Sequence, residues 1–186
     1  MSQPRIIAGT AKNRKLQVAP SSRPLTDRIK QSLFDTIANW IPEADVLDLF
    51  AGSGSFGLEA LSRGASSATF VEEDYTANKL LKENIAKLGF EEQSTVSDKQ
   101  AHKYVFQTDK QFDVIFADPP FAAAADFAPR IVAQCLKPTG IFILRLPLNV
   151  KVEELPQETL EHILTETFGE SQVTYWRLNP VPEATE

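Results

Sequence analysis

Apolar residues recur along this chain in two rhythms, and the switch between them outlines the fold. Ile29, Leu33, Ile37 and Trp40 recur at helical spacing, which predicts a helix that opens at a Thr26 or Asp27 cap and stops at Pro42. From Val46 onward, short apolar runs alternate with amphipathic stretches. Val46–Phe50, Ala68–Val71, Phe112–Ala117 and Ile141–Leu144 read as buried strands, with a weaker one near Ser94–Val96. Phe56–Arg63 stopped by Gly64, Tyr75–Leu88 stopped by Gly89, and Asp126–Leu136 stopped by Lys137-Pro138 read as the helices between them. A polar, acidic, helix-like stretch surrounds Glu153–Leu160. His162–Thr167 and Gln172–Leu178 then flank Gly169 as a hairpin adding antiparallel edge strands. Strand and helix in alternation predict an α/β fold, a mostly parallel sheet with helices on both faces.

The first residues follow neither rhythm. Arg5–Gly9 and Lys12–Val18 read as two short strands about a turn, a β-hairpin too small to stand alone, and Pro20–Pro24 as a linker. The expected organisation is therefore a basic hairpin and linker over 1–24, a single α/β domain over 25–180 and a disordered tail over 181–186. A hydrophobic content of 42% is enough for one sizeable core in 186 residues. Cys135 is the lone cysteine and leaves no internal disulfide; without a leader or an apolar run of roughly 20 residues, the expected setting is the cytoplasm, with no membrane.

Charge changes the picture of the N-terminal segment. The net charge is −6, yet residues 1–40 carry seven cations against two anions. Two readings of this arm stay open at this point: a solvated surface segment, or a basic arm that attracts phosphate locally while the acidic body stays soluble.

Candidate chemistry lies at two strand ends. Val46–Phe50 runs into Ala51-Gly52-Ser53-Gly54-Ser55-Phe56-Gly57 and then a helix, the context in which a glycine turn lets backbone approach a nucleotide ligand. Glu72 follows Gly52 at the interval where a carboxylate meets ribose hydroxyls. This much fits NAD as well as S-adenosylmethionine. Asp48, inside the strand, favours the latter, whose methionine end carries an ammonium.

The fourth strand ends in Asp118-Pro119-Pro120-Phe121. A base amine is a poor nucleophile because its lone pair is delocalised into the ring. The Asp118 carboxylate and the Pro119 carbonyl, accepting its two N–H bonds, would localise that pair, and Phe121 would offer a flat face to the extruded base. The motif alone does not choose between guanine and adenine.

Together these residues resemble the bacterial family that methylates a guanine N2 amine in 16S ribosomal RNA. The resemblance is carried by Arg5-Ile6-Ile7 with Gly9, Arg14-Lys15-Leu16, Arg23-Pro24, Thr26-Asp27-Arg28, Leu33-Phe34, Asp48–Gly54, the run Gly57–Gly64, Glu72 with Asp74, and Asp118–Phe121. It implies a Rossmann-like class I methyltransferase with a seven-stranded sheet. It also implies S-adenosylmethionine as cofactor, held by Asp48, Phe50, Ala51, Gly52, Ser53, Gly54, Glu72, Gln100 and Ala101. Asp118, Pro119 and Phe121 would be catalytic; Arg5, Lys12, Arg14, Lys15, Arg23 and Arg28 would contact 16S ribosomal RNA, in a small-subunit assembly particle, with the chain acting as a monomer. Four departures stand out: Asn13 for a usual glycine, Leu25 for a threonine, Gln100-Ala101 for an acid followed by alanine, and Arg145-Leu146-Pro147 for a segment that commonly holds a glutamate. Three other readings stay open: an adenine-N6 methyltransferase, a nicotinamide oxidoreductase, and an inactive RNA-binding homologue. His102 and His162 have no ligand pattern around them, so no metal is expected.

Overall fold

The computed structural model describes residues 3–19, 26–120, 129–152, 155 and 159–179. Its strands are β1 (Asp45–Leu49), β2 (Ser67–Val71), β3 (Ser94–Ser97), β4 (Phe112–Ala117), β5 (Leu136–Pro147), β6 (Leu160–Phe168) and β7 (Ser171–Leu178). Its helices are α1 (Asp27–Thr36), α2 (Ser55–Ser62), α3 (Tyr75–Leu88) and α4 (Ala101–Gln107). The strands form one seven-stranded sheet in the order β3-β2-β1-β4-β5-β7-β6. β1 to β5 pair in parallel, and β7 runs antiparallel between β5 and β6. The expected mostly parallel Rossmann-like sheet with an antiparallel end is thus present.

Residue alternation along each strand divides the core in two. Val46, Phe70, Val114 and Phe116 face a core shared with α1, α2, α3 and the N-terminal arm. Leu47, Leu49, Ile115 and Ala117 face the other side, where Ala101 and Val105 of α4 and Val132 and Cys135 complete a second core. Helices therefore cover both faces.

Local signals set several boundaries where the sequence places them. The Thr26 hydroxyl caps α1, the Asp74 carboxylate caps α3, and Gly89, at φ 76°, ends α3. Three expectations need correction. The helix expected over Asp126–Leu136 is, in its described part, a 3₁₀ segment over Pro129–Cys135, and Leu136 already belongs to β5, paired with Phe112. Burial of Cys135 and Leu136 in the second core outweighs the helical spacing there. Helix α4 was not expected, because seven residues with two buried apolar positions are too few to show a period. Helix α1 ends at Thr36 rather than continuing to Trp40, which sits on a separate 3₁₀ turn and donates from Nε1 to the Thr139 carbonyl. The expected linker Pro20–Pro24, most of the stretch Glu153–Leu160 and the tail 181–186 lie outside the described residues; Leu160 itself opens β6.

The N-terminal hairpin is looser than its sequence suggests. It keeps bonds from Ile6 N to Arg14 O and from Leu16 N to Pro4 O, but only one β-bridge, Arg5 to Lys15. Four of its backbone donors, those of Ile7, Ala8, Thr10 and Ala11, turn to α2 instead. The Glu59 carboxylate accepts from the N–H groups of Ile7 and Ala8 at 2.8 and 3.0 Å. Ser62 Oγ accepts from Ala11 N–H and donates to the Ala8 carbonyl, while Thr10 N–H donates to the Ser62 carbonyl. Gly9 makes this approach possible: at φ 79° a Cβ there would stand 1.7 Å from the Ser62 oxygen. Ile6 and Leu16 are fully buried in the first core, each worth about 1.5–3 kcal/mol of transfer energy.

Glu59 also meets Lys30 Nζ at 3.1 Å and Arg63 Nε at 2.8 Å, and it is fully buried. Lys30 donates in turn to the Arg5 carbonyl at 2.6 Å. One carboxylate thus joins α1, α2 and the arm. Replacing Glu59 by alanine leaves the buried Lys30 ammonium without its counter-charge and the Ile7 and Ala8 N–H groups without their acceptor. Urea unfolding of Glu59→Ala is expected to show a loss of about 3–5 kcal/mol; a loss below about 1 kcal/mol, the range of exposed pairs, would show that the clamp is dispensable.

Candidate active site

The parallel strands β1, β2 and β4 end at Leu49, Val71 and Ala117, and the loops that follow them share one edge of the sheet. That edge receives Phe50–Gly54, Glu72–Asp74 and Asp118–Pro120. Open α/β sheets bind ligands here because the strands stop while the connections to the helices splay apart.

The glycine turn is sharply bent. Gly52 and Gly54 take φ of 55° and 83°, and Phe50 takes 60°, a left-handed conformation that costs a non-glycine residue about 1–3 kcal/mol. Bonds on both sides hold it there. Ala51 N–H donates to the Val71 carbonyl, and Gly54 N–H to the Ala51 carbonyl. Glu72 Oε2 accepts from Gly52 N–H at 2.7 Å, and its Oε1 from Asp74 N–H at 2.8 Å. Each Glu72 oxygen retains acceptor capacity beyond these bonds.

Asp48 lies beneath the turn, 1% exposed. Its Oδ2 accepts from Gly57 N–H at 2.9 Å, inside the first turn of α2. It thereby performs the capping that Gly54, the residue before the helix, has no side chain to provide. Burial pushes the Asp48 carboxyl well above the usual range; the Gly57 N–H opposes this, and the negative charges of Asp118 and Glu72 add to it. Three carboxylates from three strand ends are therefore electrostatic neighbours.

Asp118, at the end of β4, faces β5. Arg145 Nη1 stands 3.2 Å from each of its carboxylate oxygens. Burial raises the Asp118 carboxyl, and Arg145 pulls it back down by its charge and its hydrogen bonds. Pro119 is buried and Pro120 exposed, whereas Phe121 lies outside the described residues. Gln100 occupies the N-cap position of α4, half-buried, with no side-chain bond to that helix, and Ala101 behind it is buried.

Two residues matter here that sequence reasoning gave no role. Asn84, fully buried on α3, accepts from Gln17 N–H and donates to the carbonyls of Gln17 and Ser53, at 2.8, 2.9 and 3.0 Å. It ties the basic arm to the glycine turn. Its signal was an amide at an apolar-face position of a helix. Lys87 donates to the Lys15 carbonyl, and Arg14 Nη2 to the Lys87 carbonyl, so the basic surface extends from the arm onto α3. Among the other expected RNA contacts, Arg5 pairs with Asp27 at 2.9 Å, the side chains of Lys12, Lys15 and Arg28 are exposed, and Arg23 lies outside the described residues.

A nucleoside cofactor with a positively charged end fits these groups. A Cβ on Gly52 would meet nothing within 4 Å, so space lies open over the turn. The Ser55 hydroxyl, buried at the start of α2, has no partner among the described residues. Acceptors for hydroxyls and for an ammonium come from Glu72 and Asp48. No helix of the described residues is long and apolar enough to cross a membrane.

The profile of the family described as Conserved hypothetical protein 95 matches residues 4–177. "Ribosomal RNA small subunit methyltransferase D" of Haemophilus influenzae is 45% identical over 122 residues, an alignment spanning 63% of this chain and 63% of that protein's length. "Putative rRNA methyltransferase YlbH" of Bacillus subtilis is 32% identical over 93% of this chain and 98% of its own. Among solved structures, "Putative methyltransferase yhhF" from Escherichia coli superposes with a TM-score of 0.83 at 29% identity, covering 95% of this chain and 98% of that one.

The Asp48 carboxyl yields a pH-dependent expectation. Because it titrates higher in the folded chain than its unfolded value of 3.8, its favourable contribution is complete below that pH and is lost as pH rises through the folded value. Asparagine keeps an oxygen for Gly57 N–H and carries no charge. Asp48→Asn should therefore melt higher than the parent at pH 8, with the margin closing as pH falls to about 4. A margin of constant size across that range would refute the electrostatic account.

Proposed function

We infer, because this chain belongs to the family described as Conserved hypothetical protein 95, that it transfers a methyl group from S-adenosylmethionine to the N2 amine of a guanine in 16S ribosomal RNA. The observation that carries this reading is the meeting of Asp48, Glu72 and Asp118 around one glycine turn. A nicotinamide oxidoreductase would have use for Glu72 but no particular need of Asp48 and none of Asp118. The names of the relatives support ribosomal RNA as substrate. Support for guanine comes from the resemblance over Arg5–Phe34 and Gly57–Gly64, two segments that dock on each other.

S-adenosylmethionine, when bound, supplies a methyl group activated by a positively charged sulfonium. Glu72 would hold the ribose hydroxyls, Asp48 would face the methionine ammonium, Phe50–Gly54 would lie along the cofactor, and Gln100 and Ala101 would border the adenine. Asp118 and the Pro119 carbonyl would accept the two amine N–H bonds, and Phe121 would stack on the base. Asp118 acts as a hydrogen-bond acceptor; the surplus proton of the methylated amine leaves afterwards, so a full general base is unnecessary. Arg5, Lys12, Arg14, Lys15, Arg23 and Arg28, extended by Lys87, would bind RNA phosphates. The chain would act as a monomer in the cytoplasm, on 16S ribosomal RNA within a small-subunit assembly particle.

The decisive test is a labelled-methyl assay on small ribosomal subunits lacking the modification, with nucleoside analysis. Label is expected in N2-methylguanosine. Label only in methyladenosine would overturn the base assignment, and no label in any RNA or DNA would overturn the activity. Asp118→Ala should lower kcat/KM by about 10²–10³-fold without loss of fold; retained turnover would remove Asp118 from the chemistry. Arg14→Ala with Lys15→Ala should weaken RNA binding and make the slope of log affinity against log salt shallower by roughly one to two. Unchanged affinity and slope would reduce the arm to a structural element.

A further inference from the structure

We infer that Arg145 is a positioning residue for this reaction, fixing the Asp118 carboxylate as an acceptor for the incoming amine. The inference rests on the methyl-transfer reading above and assigns a function to a departure that the family resemblance left without one.

The placement follows from strand register. Ala117 of β4 pairs with Leu144 of β5, so the next residue of each strand, Asp118 and Arg145, falls side by side at the carboxyl edge. The guanidinium is gripped at both ends. Nη1 lies 3.2 Å from both Asp118 oxygens, while Nε donates to Ser171 Oγ at 3.3 Å. Ser171 opens β7 and donates its own hydroxyl to the Phe168 carbonyl, which ties the arrangement to the β6–β7 turn. The side chains of Arg145 and Asp118 are 15% and 22% exposed, so the pair is largely shielded from water yet open on one side.

Asp118 needs such a partner. It is faced from β1 by Asp48, beyond which stands Glu72 after β2, and from β5 by Arg145. Burial in this partly dry site favours protonation of Asp118. A protonated carboxyl would lose its charge and commit one oxygen to an O–H donor, leaving a weaker acceptor for the amine N–H groups. Arginine stays charged throughout the working range of proteins, so its presence opposes that protonation at every relevant pH. A single nitrogen shared by the two oxygens also leaves lone pairs on each for a substrate N–H. A glutamate at position 145 would instead add another negative charge to the cluster.

The experiment compares wild type with R145Q and R145K as full chains, using D118N to assign the Asp118 signal. Carboxyl-¹³C NMR of aspartate-labelled protein reads Asp118 directly and requires no RNA. R145Q is expected to move its titration up by about one to three pH units, and R145K to restore most of it. Under saturating cofactor, the acid limb of methyl transfer to RNA should move with it. Cofactor affinity by calorimetry and the melting curve should stay close to wild type in R145K. An unmoved Asp118 titration in R145Q would overturn the proposal. So would a moved titration with an unmoved acid limb, since Asp118 would then be tuned without consequence. A variant that loses activity equally at every pH, with lysine failing to rescue, would mark Arg145 as merely structural. A wild type that methylates no RNA would overturn the methyl-transfer reading and, with it, any role for Arg145 in that reaction; the NMR titration would still decide whether Arg145 controls Asp118.

Discussion

The Glu59 carboxylate is the constraint around which the N-terminal half is organised. A charge with no access to water is costly unless donors surround it, and here four do so: two backbone N–H groups of the arm, the Lys30 ammonium and the Arg63 guanidinium. These donors come from three parts of the chain, so satisfying one side chain fixes the arm, α1 and α2 relative to one another. The arm forms one β-bridge in place of a full ladder, and four of its backbone donors go to α2. From Glu59 the order propagates through Leu16 in the core to Gln17, and by way of Asn84 to Ser53 of the glycine turn. The basic arm is therefore set rigidly beside the candidate cofactor loop.

At the carboxyl edge the governing cost is the burial of negative charge, to which repulsion from Asp118 and Glu72 adds at Asp48. Asp48, Glu72 and Asp118 are held close by strand order, each at the end of a different parallel strand. The protein manages their charges individually: Asp48 with a helix N–H, Glu72 with two loop N–H groups, and Asp118 with Arg145. Such preorganised acceptors suit chemistry on an amine, since no rearrangement is needed when the N–H bonds arrive. The strained Phe50 belongs to the same economy, with surrounding bonds holding a turn that its own side chain disfavours.

Departures from a family pattern are read better through conformation than through identity. Asn13 stands where a glycine is usual, and the structure gives it φ 67°, the left-handed region that asparagine tolerates better than other side chains. Its amide also accepts from Arg5 at 3.3 Å, so the exchange preserves the turn and adds a bond. Gln100 heads α4 in an extended conformation without capping it, which leaves its amide uncommitted to that helix.

The chain itself determined the order of strands and helices, their main boundaries, the glycine turn and the positions of Asp48, Glu72 and Asp118 along it, because periodicity, caps and breakers act over a few residues. It did not reveal α4, too short to show a period, or the 3₁₀ and strand conformation around Pro129–Leu136, where burial prevailed over local spacing. It also could not show that Glu59 meets Ile7, that Asn84 joins Gln17 to Ser53, or that Arg145 faces Asp118. Those contacts bridge 52, 67 and 27 residues of sequence. They exist only once the sheet has put distant strand ends side by side, because hydrogen bonds and ion pairs depend on distance in space and carry no trace in local pattern.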